Sequence, residues 1–334
     1  MTGQASALGA ETAELVRAGG PHVPALMARI EERLRDAAAG HGEVLAEHGG
    51  STIAAGGKRL RPLLVLLAAG PPATGEQAEA LVRAGAAVEL VHSATLVHDD
   101  VLDAASLRRG RPTVVATAGP AMAIATGDLL FARAFAGLTE PGAADPAAAV
   151  RTLSDACSAL ARGELVQRAD AWDAGVSVER YLHRCELKTA RLFEAACLLG
   201  ALAVGEDGGS LGRFGRGIGL AFQLLDDVLD VAGPAERTGK HRGTDLLDGT
   251  VTLPFIVARE RSDELAALDP RSVTTAQDAE RVCDAIAATG ALDDARAMAL
   301  DLVAEAKREL PATLGASRRE ALDLVADGVV RRYS

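Results

Sequence analysis

The sequence predicts an all-α fold organised as a single domain, on three observations. Alanine, leucine, glutamate and arginine recur through all 334 residues, and these are strong helix formers. Strict alternation of apolar and polar residues, the mark of a half-buried strand, is hard to find. The breaks between periodic segments are short and built from glycine and proline, with no linker-like shift in composition.

Taken in order, the chain first shows Gly56-Gly57-Lys58-Arg59-Leu60-Arg61-Pro62, a glycine turn joined to cations, with Pro62 opening an apolar helix. Gly70-Pro71-Pro72-Ala73-Thr74-Gly75 ends that helix. Helices are then predicted over 77–103, 121–138 and 147–168, the last two parted by Pro141-Gly142. Further helices are predicted over 185–204, 211–231 and 292–310, with Gly233-Pro234 as a break. Alanine excess beside only 3% aromatic residues has two readings, helix propensity or a wide apolar cavity lined by small side chains.

Composition excludes several classes. The chain is 49% hydrophobic and 24% charged, which suits a globular protein rather than a disordered one. A net charge of −11 argues against nucleic acid as a partner. Cys157, Cys185, Cys197 and Cys283 are scattered, giving no disulfide framework or zinc site and suiting a reducing compartment. No basic stretch followed by an apolar one opens the sequence, so no signal peptide is expected. No apolar run is expected to reach the roughly 18 residues of a membrane span, Leu63 to Ala69 being too short. A cytoplasmic location is expected.

Two acidic clusters stand out. In Leu96-Val97-His98-Asp99-Asp100-Val101-Leu102-Asp103, carboxylates fall at i, i+1 and i+4, and Leu224-Leu225-Asp226-Asp227-Val228-Leu229-Asp230 repeats the pattern. On a helix, i and i+4 share a face, where like charges cost about 0.2–0.5 kcal/mol per pair. Both clusters also fall near a predicted helix C-terminus, where the macrodipole disfavours anions. A solvated acidic face would carry Lys or Arg four residues away, and none stands there. Hard divalent cations with oxygen ligands, Mg²⁺ above all, meet the need for a counter-ion and bridge to phosphates.

Basic residues follow these clusters. Beside Lys58 and Arg61, the chain offers Arg108-Arg109-Gly110-Arg111-Pro112, Lys188-Thr189 near the start of a predicted helix, and Gly239-Lys240 after the second cluster. Cations in loops adjoining metal-binding carboxylates describe a pocket for diphosphates.

Over nearly its whole length the sequence resembles the trans-isoprenyl diphosphate synthases, the polyprenyl synthetase family. Residues 56–62 match that family's GGKxxRP motif, and residues 99–110 its first aspartate-rich motif with the trailing RRG. Gly127-Asp128 with Ala134-Phe135, Lys188-Thr189, and Phe222-Gln223-Leu224-Leu225-Asp226-Asp227 with Asp230 follow in the family's order, then Lys240, Gly243 and Asp245. The resemblance implies the isoprenoid synthase fold, an antiparallel helical bundle around a deep central cavity with both aspartate clusters at one mouth. It implies elongation of an allylic diphosphate with isopentenyl diphosphate by a homodimer; separately, no transmembrane segment is expected, and a transient membrane contact for product release is.

It also implies roles. Asp99, Asp103 and Asp226 would hold Mg²⁺ bridging the allylic diphosphate, with Asp100, Asp227 and Asp230 supporting directly or through water. Arg108, Lys188 and Lys240 would bind that diphosphate. Lys58, Arg61, His92 and Arg109 would grip isopentenyl diphosphate, Gln223 would orient the metal shell, and Thr189 accompanies Lys188. His92 by itself reads as a core histidine and gains weight from its place two turns before Asp99. Loops 104–119 and 233–249 would close over the site. One departure is Thr250, where many relatives carry a second lysine, which implies weaker allylic binding. Relatives with short products place aromatics at the positions of Ala94 and Thr95, so small residues here imply a long-chain product, unless Phe131 or Phe135 forms the floor instead and stops the chain at geranylgeranyl diphosphate. A class I terpene cyclase needs no second diphosphate, so Lys58, Arg61 and Arg109 argue against one. Accessory subunits of two-component synthases typically lose the aspartates kept here.

Overall fold

The computed structural model describes residues 15–39, 42–54, 57–108, 110–140, 145–233 and 242–331. These are almost wholly helical, as expected. In chain order the helices are α1 (His22–Ala39), α2 (Glu43–Ala54), α3 (Leu60–Ala69), α4 (Gly75–Leu102), α5 (Val114–Ala118), α6 (Pro120–Leu138), α7 (Pro146–Ala169), α8 (Val178–Cys185), α9 (Arg191–Ala203), α10 (Gly209–Ala232), α11 (Thr244–Leu247), α12 (Leu253–Arg259), α13 (Asp263–Ala267), α14 (Ala276–Ala288), α15 (Ala291–Glu309) and α16 (Ala316–Arg331). A π-helical turn, Glu186–Ala190, separates α8 from α9, and Leu107–Arg108 pairs antiparallel with Arg111–Pro112 as β1 and β2.

The chain groups into two compact units. Unit 1 comprises Met1–Cys157, Leu192–Gly215 and Glu309–Val325. Its centre is α4, which starts at Thr74, whose side chain accepts from the Gln77 N–H. This helix buries residues on nearly every side, from Ala80 to Asp100, as a core helix must. Against it packs α1, whose Val23, Leu26, Ile30 and Leu34 recur at helical spacing and are all buried.

Unit 2 comprises Ser158–Arg191, Arg216–Arg308 and Ala326–Ser334. There α10 buries Ile218, Ala221, Leu224, Leu225, Val228 and Val231 on one stripe. Capped by Thr275 and Asp278 in a reciprocal box, α14 buries Ala279, Cys283 and Ile286, again at helical spacing.

Several expectations need adjusting. The apolar helix expected to open at Pro62 begins at Leu60, and Pro62 is tolerated because no N–H of a first turn has a helical partner. The basic loop is a hairpin, with Gly110 at φ +74° in its turn. Lys188-Thr189, expected near a helix start, lies in the π turn that leads into α9. Both α4 and α6 are long and apolar enough to cross a bilayer, which corrects the expectation that no segment is. The most apolar window of α4 is 83% buried inside the protein, that of α6 only 33%. The break at Pro141-Gly142 and residue Pro234 lie outside the described residues.

Candidate active site

In unit 1, the first aspartate cluster closes α4. Asp99 is half-buried, Asp100 is buried and Asp103 is exposed at the C-cap, its N–H bonded to the Asp99 carbonyl at 2.8 Å. The last turn of α4 contains no base, and the helix macrodipole disfavours anions at this end. Two contacts fix this end. Val97 and Val101 pack on Val114, Ala123 and Met122. The His98 ring lies over Gly127, where any Cβ would fall 2.2 Å from its Nε2, and stands 5.8 Å from the Phe131 ring. His98 Nε2 also meets the Ile124 carbonyl at 3.2 Å. A histidine beside the first aspartate therefore locks α4 to α6, and explains why Gly127 is a glycine.

The hairpin then turns a basic residue back onto the cluster. Arg108 Nε donates to Asp100 Oδ1 at 2.6 Å. Thr113 anchors the loop, its hydroxyl donating to the Ala105 carbonyl at 2.6 Å and capping α5 by accepting from the Ala116 N–H. Arg111 Nη1 donates to the Ala54 carbonyl at 3.4 Å, so the hairpin lies beside the end of α2, close in sequence to Lys58. Arg109 lies outside the described residues.

The Lys58–Arg61 stretch divides its labour. Arg59, in the left-handed region at φ +48°, bonds Glu31 at 2.6 Å and the buried Glu89 at 2.8 Å; it anchors the turn. Lys58 and Arg61 are half-buried, and the Arg61 guanidinium lies 4.6 Å from the centre of the Phe193 ring, which orients a cation by its face. His92 is half-buried, and its carbonyl accepts from the Thr95 hydroxyl at 2.8 Å. Ala94 is fully buried.

In unit 2 the second cluster ends α10, again with its middle carboxylate buried. Asp226 is exposed, Asp227 is buried and Asp230 is intermediate. Asp227 Oδ2 accepts from the Tyr181 hydroxyl at 2.7 Å and Oδ1 from Gln223 Nε2 at 2.8 Å. Burial, then the charge of Asp245, pushes the Asp227 carboxyl up to about 8, against the pull of those two hydrogen bonds. Asp230 accepts from the Asp245 N–H at 3.2 Å and the Gly243 N–H at 3.0 Å, through its side chain and its carbonyl respectively. Lys240 lies outside the described residues.

The π turn holds the remaining pair. Lys188 Nζ donates to Glu164 Oε2 at 2.5 Å, and Arg168 Nε to the other oxygen of that carboxylate at 2.7 Å. Thr189 is buried, its hydroxyl donating to Gln223 Oε1 at 2.7 Å. Gly163 makes room for the turn, since a Cβ there would sit 2.6 Å from the Lys188 nitrogen. π turns of this kind recur at functional sites.

Of the residues the sequence points to, the structure describes the six aspartates, Gln223, Thr189, Lys58, Arg61, His92, Arg108 and Lys188, and it adds contacts from Glu164, Gly163, Tyr181, His98 and Phe193, to which the sequence assigns no role. A glycine inside a helical pattern, as at Gly163 and Gly127, signals close packing; Tyr181 and Glu164 carried no such signal. Among the described residues, no three His, Cys, Asp or Glu side chains come together as a ready-made metal cage. The donor set is carboxylate oxygen, which suits a hard divalent cation.

A sequence profile for the family described as polyprenyl synthetase matches residues 43–288. Component 2 of heptaprenyl diphosphate synthase from Geobacillus stearothermophilus is 40% identical over 284 residues, 81% of this chain and 85% of that protein. A short chain isoprenyl diphosphate synthase from Methanothermobacter thermautotrophicus is 35% identical over 311 residues, 91% of this chain and 94% of that one. A crystal structure of polyprenyl synthase from Caulobacter crescentus, complexed with calcium and isoprenyl diphosphate, matches with a TM-score of 0.87 at 35% identity, over 97% of this chain and 98% of that one.

Proposed function

Because the chain belongs to the polyprenyl synthetase family, we propose that it is a trans-prenyltransferase that condenses isopentenyl diphosphate with an allylic diphosphate. Its fold is the all-α isoprenoid synthase fold. The observation that carries the reading is the shared build of the two aspartate clusters. Each ends a long helix, tucks its middle carboxylate inside against protein donors, and leaves an outer one exposed.

Asp99, Asp103 and Asp226 would hold Mg²⁺, with Asp100, Asp227 and Asp230 in support. Bound there, Mg²⁺ would neutralise the charge that develops on the departing diphosphate. Lys188, Arg108 and Lys240 bind the allylic diphosphate, and Lys58, Arg61, His92 and Arg109 the isopentenyl one. Asp100 orients Arg108, Glu164 orients Lys188, and Phe193 orients Arg61. The proton lost after attack goes to the departing pyrophosphate. Loops 104–119 and 233–249 exclude water from the carbocation.

The product is proposed to be long, six or more isoprene units. Ala94 and Thr95 are small, and the deeper turns of α4 offer Val91, Val88, Ala87 and Ala84, none aromatic. A homodimer is proposed, supported by the apolar surface that α6 leaves uncovered, Ile124 being 47% exposed. Incubating the purified chain with labelled isopentenyl diphosphate and several allylic primers tests the reading. Products that grow by five-carbon steps with Mg²⁺ and vanish with EDTA are expected. No product unless a second subunit is added would favour a two-component enzyme instead.

A further inference from the structure

Tyr181 lies outside every motif of the sequence, yet its phenol is fully buried and its hydroxyl donates to Asp227. From there hydrogen bonds run without a gap. Gln223 Nε2 donates to the other oxygen of Asp227, and Thr189 Oγ1 donates to Gln223 Oε1. This chain ties α8, α10 and the π turn together inside unit 2. Neighbouring residues on a helix point about 100° apart, so holding Asp227 inward fixes the direction of Asp226, which is exposed.

We propose that Tyr181 is a positioning residue for the second aspartate cluster: by holding Asp227 inward through its hydroxyl, it keeps Asp226 turned outward to receive metal and keeps Lys188-Thr189 in register with it. The inference rests on the metal-diphosphate reading given above. A carboxylate buried beside Asp245 has few other donors, and without the phenol hydroxyl one of its oxygens is left unsatisfied. The side chain then swings, and the helix end with it.

Tyr181→Phe in the full chain removes the hydroxyl and keeps the ring, so packing alone is preserved. The expected result is a Mg²⁺ requirement raised about tenfold, the loss of one buried hydrogen bond, with the Michaelis constant for isopentenyl diphosphate unchanged. Calorimetric titration with inorganic pyrophosphate and Mg²⁺ gives a readout apart from turnover and is expected to show similarly weakened binding. Combining Tyr181→Phe with Asp227→Asn is expected to add little to the worse single variant, because both cut the same link. A lowered melting temperature with wild-type Mg²⁺ requirement and pyrophosphate binding would mean that Tyr181 only packs, and overturns the proposal; so would wild-type behaviour throughout. Should Tyr181→Phe fail to fold, Thr189→Val breaks the chain at its other end and is expected to raise the Mg²⁺ requirement too; an unchanged requirement there overturns the proposal equally. Asp226→Ala separates the two claims. If it leaves pyrophosphate binding and Mg²⁺ requirement intact, the metal reading itself fails; if it abolishes both while Tyr181→Phe does nothing, only the positioning role fails.

Discussion

Each aspartate cluster divides its work among its own carboxylates. Asp100 and Asp227 are 5% and 4% exposed and are spent on Arg108, and on Tyr181 and Gln223, whereas Asp103 and Asp226 face outward. The aspartates were legible in the sequence because two like-charged triads without nearby bases need a counter-ion. Their division of labour was not, because it depends on a hairpin that turns Arg108 back onto Asp100 and on Tyr181, which is 46 residues from Asp227. Glu164 was invisible because beside its i+4 neighbour Arg168 it reads as an ordinary helix-surface pair until the π turn brings Lys188 to it. Burial alone would raise its carboxyl, but those two cations more than offset it and the net shift is downward. A carboxylate lowered in the folded state stabilises that state above the ordinary carboxylate range, and the contribution is lost as pH falls through its folded value. Glu164→Gln should therefore lower the melting temperature near neutral pH and lower it progressively less below about pH 4. Melts of both proteins across that range check this, and a gap that stays constant would contradict it.

Helices, taken as elements, could be read almost to their ends. The predicted 121–138 and 147–168 are observed as Pro120–Leu138 and Pro146–Ala169, because proline at a helix start and apolar periodicity are local signals. The hairpin escaped notice since its strands are two residues each, too short for alternation to register. The π turn escaped because Glu186-Leu187-Lys188-Thr189-Ala190 is a good α-helical sequence; its extra residue is stabilised by contacts to α7 and α10. Gly163 is where that turn is most exposed to a test. In Gly163→Ala the methyl must push the Lys188 backbone away, at a cost of about 1–3 kcal/mol for overpacking. The Michaelis constant for the allylic diphosphate should rise while that for isopentenyl diphosphate stays near wild type, measured with each substrate varied in turn. Equal effects on both would mean that the π turn does not serve one subsite.

For the whole molecule, the all-α class and the family were legible, while the grouping into two compact units was not, because no linker marks it and the units interleave in sequence. Product length is a property at this scale. One helical turn rises about 5.4 Å, comparable to one isoprene unit, so on the long-chain proposal each turn of α4 without an aromatic would admit roughly one further addition. Ala94→Phe should shorten the product to farnesyl or geranylgeranyl length with turnover largely kept, as sized by chromatography of the dephosphorylated alcohols. A wild-type product of twenty carbons would place the floor elsewhere, with Phe131 or Phe135 the alternatives. The central claim, that both aspartate clusters serve one Mg²⁺-dependent ionisation, is met most directly by single-turnover rates of Asp99→Ala and Asp226→Ala, with helicity checked by circular dichroism. Both folded variants should lose about a thousandfold or more in rate, and neither should be restored by the other cluster. Near-wild-type turnover in either would contradict the account.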